Sequence, residues 1–147
     1  MKFTIEKRDL FTVPKDYALC HCISADFALG AGIAKLFAER GVKNELIEIY
    51  RRDNWDGYGF ALYTESTAWK KEYNLVTKAL YYQKPTLKTL IEALEDMKGY
   101  LPLHGVKKIA IPKIGCGLDR LKWSDVENII RELFAETDVE ILVCDWK

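Results

Sequence analysis

An excess of charge of one sign is missing from this 147-residue sequence, because 22 lysines and arginines balance 22 aspartates and glutamates. Proteins that bind nucleic acid through its phosphates normally carry a basic excess, so the composition does not support general nucleic-acid binding. The sequence also lacks a long apolar run and a signal peptide. We therefore expect no membrane association and a cytoplasmic location.

Cysteine is scarce, and its spacing excludes the common metal motifs. The four cysteines are Cys20, Cys22, Cys116 and Cys144. Their separations match neither a zinc site nor a CxxC motif. We therefore expect free thiols in a reducing compartment and no bound metal.

Segments with strand and helix patterns alternate along most of the chain. Strand patterns cover 3–6, 17–23, 60–64, 73–77, 107–111 and 139–144, and helical patterns cover 33–41, 44–51, 87–101 and 126–134. The short link 65–72 predicts a hairpin or meander in the middle. This alternation predicts one α/β domain over 1–147, a three-layer α/β/α sandwich with a mixed central sheet.

Two glycine loops follow predicted strands, where ligands bind in such sheets. Gly30 and Gly32 follow the strand 17–23, and Gly115 and Gly117 follow the strand 107–111. The first loop is not a complete dinucleotide motif, since Lys35 replaces its third glycine, and it lacks the Gly-Lys-Ser/Thr ending of a P-loop. For one loop alone, a simple turn from strand to helix is the favoured explanation. Two at one sheet edge favour a site for a nucleotide diphosphate, held by backbone N–H groups.

Three polar residues near these loops have ordinary explanations. Lys78 ends a strand as a solvated charge would, and Asp119 could be a helix-start acid. Ser124 begins a capping-box pattern for the last helix, which leaves Asp119 free to face the cleft. His21 is expected to be a core or cleft-wall residue. These residues alone do not identify a reaction.

The segments HCISADFALGAGIAKLF and PKIGCGLDRLKW resemble the two ligand loops of macrodomains. LVTK followed by QKPT is similar to the branch of the terminal ADP-ribose protein glycohydrolase. The resemblance covers residues 3–143. It implies that ADP-ribose binds between the loops and that the protein removes ADP-ribose from acidic side chains of proteins.

The resemblance also implies roles for individual residues. Lys78 is the expected nucleophile and Asp119 the expected acid/base. Trp146 could stack on adenine or cover the sheet edge, and Arg8 stands where the family usually has glycine. The substrate-binding residues implied by the resemblance are Asp9, Leu10, Ser24, Gly30, Gly32, Ile33, Lys113, Ile114, Gly115, Cys116, Gly117, Leu118 and Trp146.

Two mechanisms and three functions remain open from the sequence. Lys78 either attacks the distal ribose and forms a Schiff base, or stays protonated and stabilises the leaving carboxylate. The alternatives to a protein-directed hydrolase are a non-catalytic ADP-ribose-binding module and a hydrolase of O-acyl-ADP-ribose or ADP-ribosylated nucleic acid. The expected partners are ADP-ribose and ADP-ribosylated proteins, with ADP-ribosylated nucleic acid as a further candidate. We expect no cofactor and a monomeric chain.

Overall fold

The structure is a computed structural model that describes residues 1–53, 57–67, 70–117 and 119–146. The strands are β1 (Lys2–Glu6), β2 (Ala18–Ser24), β3 (Phe60–Thr67), β4 (Lys70–Lys78), β5 (Lys108–Ile111) and β6 (Glu140–Cys144). The helices are α1 (Gly32–Glu39), α2 (Val42–Asp53), α3 (Leu87–Leu103) and α4 (Trp123–Phe134), and a short 3₁₀ helix covers Leu10–Thr12.

The strands form one mixed sheet in the order β1-β6-β5-β2-β4-β3. Neighbouring strands are parallel except β3, which runs antiparallel to β4. The predicted hairpin is therefore confirmed, but its pairing continues to Thr67 opposite Lys70, well into the predicted link. Because five strands are parallel, the loops that follow β2, β4 and β5 meet at one edge with the segment after β6.

Two apolar cores lie on opposite faces of the sheet. On one face, Leu94 of α3 and Phe134 of α4 pack with Leu75 and Ile109. On the other face, the buried ring of Phe37 in α1 belongs to a cluster that includes residues of α2, β2 and β4. Helices on both faces confirm the three-layer α/β/α sandwich. They also explain the nearly continuous apolar runs of the central strands, which are buried on both sides.

The predicted cap of the last helix is wrong. Helix α4 begins at Trp123, with Lys122 in the capping position and no side-chain cap bond. The Lys122 carbonyl accepts from the N–H groups of Asp125 and Val126, so the helix starts before Ser124, which lies within its first turn. A sequence pattern alone does not fix the residue at which the backbone enters a helix.

A buried polar network crosses β2, β4 and β3 below the ligand edge. His21 Nε2 lies 2.6 Å from Asn74 Oδ1, and Asn74 Nδ2 donates to Thr64 Oγ1 at 3.0 Å. Thr64 in turn donates to Glu72 Oε1 at 2.6 Å. The His21 ring also stacks on Phe37, with ring centroids 3.7 Å apart. His21 is therefore a core residue and is not part of the ligand edge.

Candidate functional site

A cleft of about 930 Å³ lies at the carboxyl edge of the sheet, between the loops after β2 and β5. This volume is near the upper end of the range for ligand pockets, about 300–1,000 Å³. Most of the residues expected at the site line it: Ser24, Gly30, Gly32, Ile33, Lys78, Lys113, Ile114, Gly115, Cys116, Gly117, Asp119 and Trp146. The prediction of Leu118 falls outside the described residues.

The first glycine loop leads into the N-terminus of α1. Gly32 has a φ of 60°, which disfavours other residues, and Ala31 provides no side-chain cap. The first turn of α1 contains no acidic residue, so its N–H groups present partial positive charge to the cleft without a competing carboxylate. Gly30 is different, because a Cβ there would make only an ordinary contact. Because Gly30 has no side chain, a ligand in the cleft can approach the backbone of this loop closely.

Asp26 holds this loop in shape, although it was not among the residues predicted from the sequence. Its carboxylate accepts from Ser24 Oγ at 2.5 Å, from the Ala28 N–H at 3.1 Å and from the Tyr81 N–H at 3.0 Å. Burial alone would raise the pKa of Asp26, but these hydrogen bonds outweigh it and lower the pKa. The last bond joins the loop after β2 to the loop after β4. Serine and aspartate two residues apart after a strand are typical of such turns.

The second glycine loop depends on Gly115. Its φ is 73°, and an added Cβ would lie 2.8 Å from Leu121 Cδ1. The Leu121 N–H donates to the Gly115 carbonyl at 2.6 Å, so the chain folds back on itself. Gly117 has open space around its Cα and no positive φ. Gly115 therefore sets the path that carries Asp119 back to the cleft, whereas Gly117 mainly leaves room.

A β-bulge lies immediately before Lys78. Ile23 pairs with Val76 and Ser24 pairs with Lys78, so β4 contains one more residue than β2 between these pairs. The extra residue is Thr77. Bulges commonly redirect side chains near functional sites. Here the bulge ends the regular ladder at the residue whose side chain reaches the cleft.

Lys78 and Asp119 meet inside the cleft, although 41 positions separate them in sequence. Lys78 Nζ lies 2.5 Å from Asp119 Oδ1, and their side chains are only 13% and 15% exposed. The two residues therefore form a largely buried ion pair that lines the cleft. The contact places the Asp119 carboxylate where it can exchange a proton with the Lys78 amine, as a general acid/base must.

Cys22 also lines the cleft beside this pair. Burial of its thiol, followed by the nearby Asp119 carboxylate, raises the pKa of Cys22 well above its ordinary value. The thiolate is the reactive form of cysteine, so this residue is an inert part of the wall. The cleft thus offers Lys78 as its candidate nucleophile.

Asp9 and Leu10 do not line the cleft. Asp9 Oδ1 accepts from the Phe11 N–H at 3.0 Å and caps the 3₁₀ helix, while Leu10 is buried in the core. Asp9 nevertheless acts through its charge on one residue of the cleft. Burial is the main reason that the pKa of Cys144, a cleft residue, rises to about 11, and Asp9 adds to this rise. Trp146 lies at the rim, with 64% of its surface exposed.

Within the described part of the chain, no group of histidine, cysteine, aspartate and glutamate side chains is arranged to hold a metal ion. No helix in those residues is long and apolar enough to cross a membrane.

Comparison with known proteins gives close relatives of this sequence. ADP-ribose glycohydrolase OARD1 of Homo sapiens is 39% identical over 147 residues, covering 97% of this chain and 90% of that protein. The macrodomain of Mycobacterium tuberculosis DarG has a TM-score of 0.86 at 21% identity, covering 97% of both chains. Thermosipho africanus DarTG in complex with ADP-ribose has a TM-score of 0.84 at 15% identity, covering 99% of this chain and 42% of that one. No protein-family model matches the sequence.

Proposed function

This chain belongs to the macrodomain family, in its ADP-ribose glycohydrolase branch, and we propose that it removes ADP-ribose from acidic side chains of modified proteins. The observation that carries this proposal is the ion pair of Lys78 and Asp119 inside the cleft. A relative named as an ADP-ribose glycohydrolase supports the reaction, and a protein of the same fold in complex with ADP-ribose supports the ligand.

The proposed binding mode places the diphosphate between the two glycine loops. Backbone N–H groups at the start of α1 favour an anion and need no cluster of arginines, which agrees with the neutral composition. The distal ribose then extends toward Lys78 and Asp119. Fixing the diphosphate fixes the position of the ribose, which lowers the entropic cost of reaching the reactive geometry.

The proposed reaction starts from the ion pair. Asp119 takes a proton from Lys78, and the neutral amine attacks the anomeric carbon of the distal ribose. The C–N bond forms while the bond from that carbon to the acyl oxygen breaks, and the carboxylate leaves with the electron pair. The adduct then opens to a protonated Schiff base: the C=N bond forms while the bond from that carbon to the ring oxygen breaks, the ring oxygen takes up the proton held by Asp119, and the proton lost from the nitrogen passes to water. Water then adds to the same carbon, the C–N bond breaks, and free ADP-ribose and Lys78 are restored.

Turnover of one defined substrate tests the proposal. Wild type, Lys78→Ala and Asp119→Ala are incubated with a protein that carries ADP-ribose on glutamate, and the affinity for ADP-ribose is measured alongside. Loss of a catalytic proton-transfer group typically costs about 10²–10⁴-fold in rate, and we expect losses of this size with affinity changed only a few-fold. Lys107→Ala, which replaces an exposed lysine before β5, is the matched control and should keep wild-type turnover.

The outcomes separate the alternatives. Wild-type turnover in Lys78→Ala would contradict the proposed catalytic role. Tight ADP-ribose binding with no release of label by wild type would identify a non-catalytic binding module. Faster cleavage of O-acyl-ADP-ribose or of an ADP-ribosylated oligonucleotide would assign a different leaving group.

A further inference from the structure

A second cavity adjoins the cleft on the far side of Lys78. It encloses about 330 Å³ at the junction of β4 and the N-terminus of α3. Tyr58, Thr77, Thr86 and Thr89 line only this cavity, whereas Lys78 and Lys84 line both it and the main cleft. The candidate nucleophile therefore stands at the boundary between a large space and a small one.

We propose that this smaller cavity, the acceptor pocket, binds the modified carboxyl side chain and its adjoining peptide; the proposal rests on the function proposed above. ADP-ribose occupies the main cleft in that function, so the group attached to the anomeric carbon must lie elsewhere at the reaction centre. The acceptor pocket begins at Lys78 and offers this space.

Thr77 is the first feature that indicates a polar ligand. The residue is only 1% exposed, and its Oγ1 has no hydrogen-bond partner among the described residues. Buried hydroxyl groups are nearly always paired, because an unpaired one costs free energy. Thr77 directly precedes the candidate nucleophile, Lys78, and is the extra residue of the β-bulge. It also lines the acceptor pocket.

The N-terminus of α3 is the second feature, and it favours an anion. Thr86 Oγ1 accepts from the Thr89 N–H, and Thr89 Oγ1 accepts from the Thr86 N–H, both at 3.1 Å. The N–H groups of Leu87 and Lys88 lie in the first turn, where a helix supplies no backbone acceptor. The first turn contains no acidic residue, and Lys84 adds positive charge at the boundary of the two cavities. A carboxylate released at Lys78 would therefore meet a hydroxyl, a helix N-terminus and a lysine.

Binding of stable conjugates tests the acceptor pocket without requiring turnover. The probes are ADP-ribose, ADP-ribose joined at its anomeric carbon to a short glutamate peptide through an uncleavable amide, and the same nucleotide joined to a short oligonucleotide. We expect wild type to bind the peptide conjugate about tenfold more tightly than ADP-ribose. Tyr58→Ala and Thr77→Val should each reduce this advantage to about twofold or less and leave the affinity for ADP-ribose unchanged.

Conservative variants distinguish a binding role from a structural one. Thr77→Ser keeps the hydroxyl and should keep the advantage, whereas Thr77→Val keeps the shape and should lose it. Lys107→Gln is the control for general charge effects. A peptide conjugate that binds no better than ADP-ribose, an advantage that survives both Tyr58→Ala and Thr77→Val, or a Tyr58-dependent advantage seen only with the oligonucleotide would overturn the acceptor pocket.

The proposed function fails by a different result. Wild type that binds the peptide conjugate with the expected advantage but does not cleave a glutamyl ester would contradict the hydrolase and support the pocket. Cleavage of the glutamyl ester by a wild type that binds the peptide conjugate no better than ADP-ribose would support the hydrolase and contradict the acceptor pocket. Absence of ADP-ribose binding would overturn both.

Discussion

Acidification from pH 7 to pH 5 should reduce the free energy of unfolding by about 2 kcal/mol through His21 alone. His21 lies in β2 and is fully buried. One of its ring nitrogens, Nδ1, has no hydrogen-bond partner among the described residues. Burial lowers the pKa of His21 from 6.5 to about 4, although the hydrogen bond with Asn74 opposes this change.

The sign follows from proton binding. Histidine in the unfolded chain takes up its proton near pH 6.5, whereas His21 in the folded protein takes it up only near pH 4. Between these values the unfolded state binds more protons, so stability falls as the pH falls. At about 1.4 kcal/mol per unit of pKa, the full loss approaches about 3.5 kcal/mol. About 2 kcal/mol of it appears by pH 5.

Urea denaturation between pH 5 and pH 7.5 measures this effect. Wild type is compared with His21→Gln, which keeps an amide donor near Asn74 and cannot titrate in this range. Carboxylates contribute the same background to both proteins, so the difference between the two pH dependences isolates His21. Equal pH dependences for wild type and His21→Gln would refute the assignment of a buried, neutral His21.

Three further predictions, two of them with a matched control substitution, test the loops and the helix caps. In thermal melts, Gly115→Ala should destabilise the protein by about 1–3 kcal/mol, because its φ is positive and Leu121 Cδ1, 2.8 Å from the added Cβ, would have to shift. The same substitution should weaken ADP-ribose binding. Gly117→Ala is the control and should change stability by less than about 0.5 kcal/mol. Asp26→Asn should lower turnover more than it lowers ADP-ribose affinity. The amide has one accepting oxygen, so it cannot accept hydrogen bonds from both Ser24 and the Tyr81 N–H as the two carboxylate oxygens do. Equal losses of turnover and affinity would count against the role of Asp26 in linking the two loops. Thr86→Ala removes the cap of α3 and should lower the free energy of unfolding by about 1 kcal/mol in urea denaturation. Ser124 does not cap α4, so a comparable loss in Ser124→Ala would contradict the observed start of that helix.

The sheet was predictable because its strands have simple patterns. Buried parallel strands appear as apolar runs, and the short segment between β3 and β4 allows little except a hairpin. The ends of these strands were less predictable. Residues beyond Thr64 continue the pairing to Thr67 and Lys70 without a marked change of pattern, since pairing there depends on the partner strand.

The glycine loops and the ion pair of the candidate site were predicted on different grounds. The glycines indicated an anion site from their own physical properties, but only the family resemblance singled out Lys78 and Asp119. The contact between these two side chains depends on a bulge in β4 and on the folded-back loop at Gly115, and neither is visible in local sequence patterns. Asp26 was missed because its third bond comes from a distant loop.

Reductive trapping tests most directly whether Lys78 attacks the distal ribose. Cyanoborohydride is added during turnover of a glutamate-linked ADP-ribosyl protein, and the modified residue is located by mass spectrometry. We expect a reduced ADP-ribose adduct on Lys78 that is strongly diminished in Asp119→Ala. Turnover at the wild-type rate with no adduct, or with the adduct on Lys84, would contradict the proposed nucleophile.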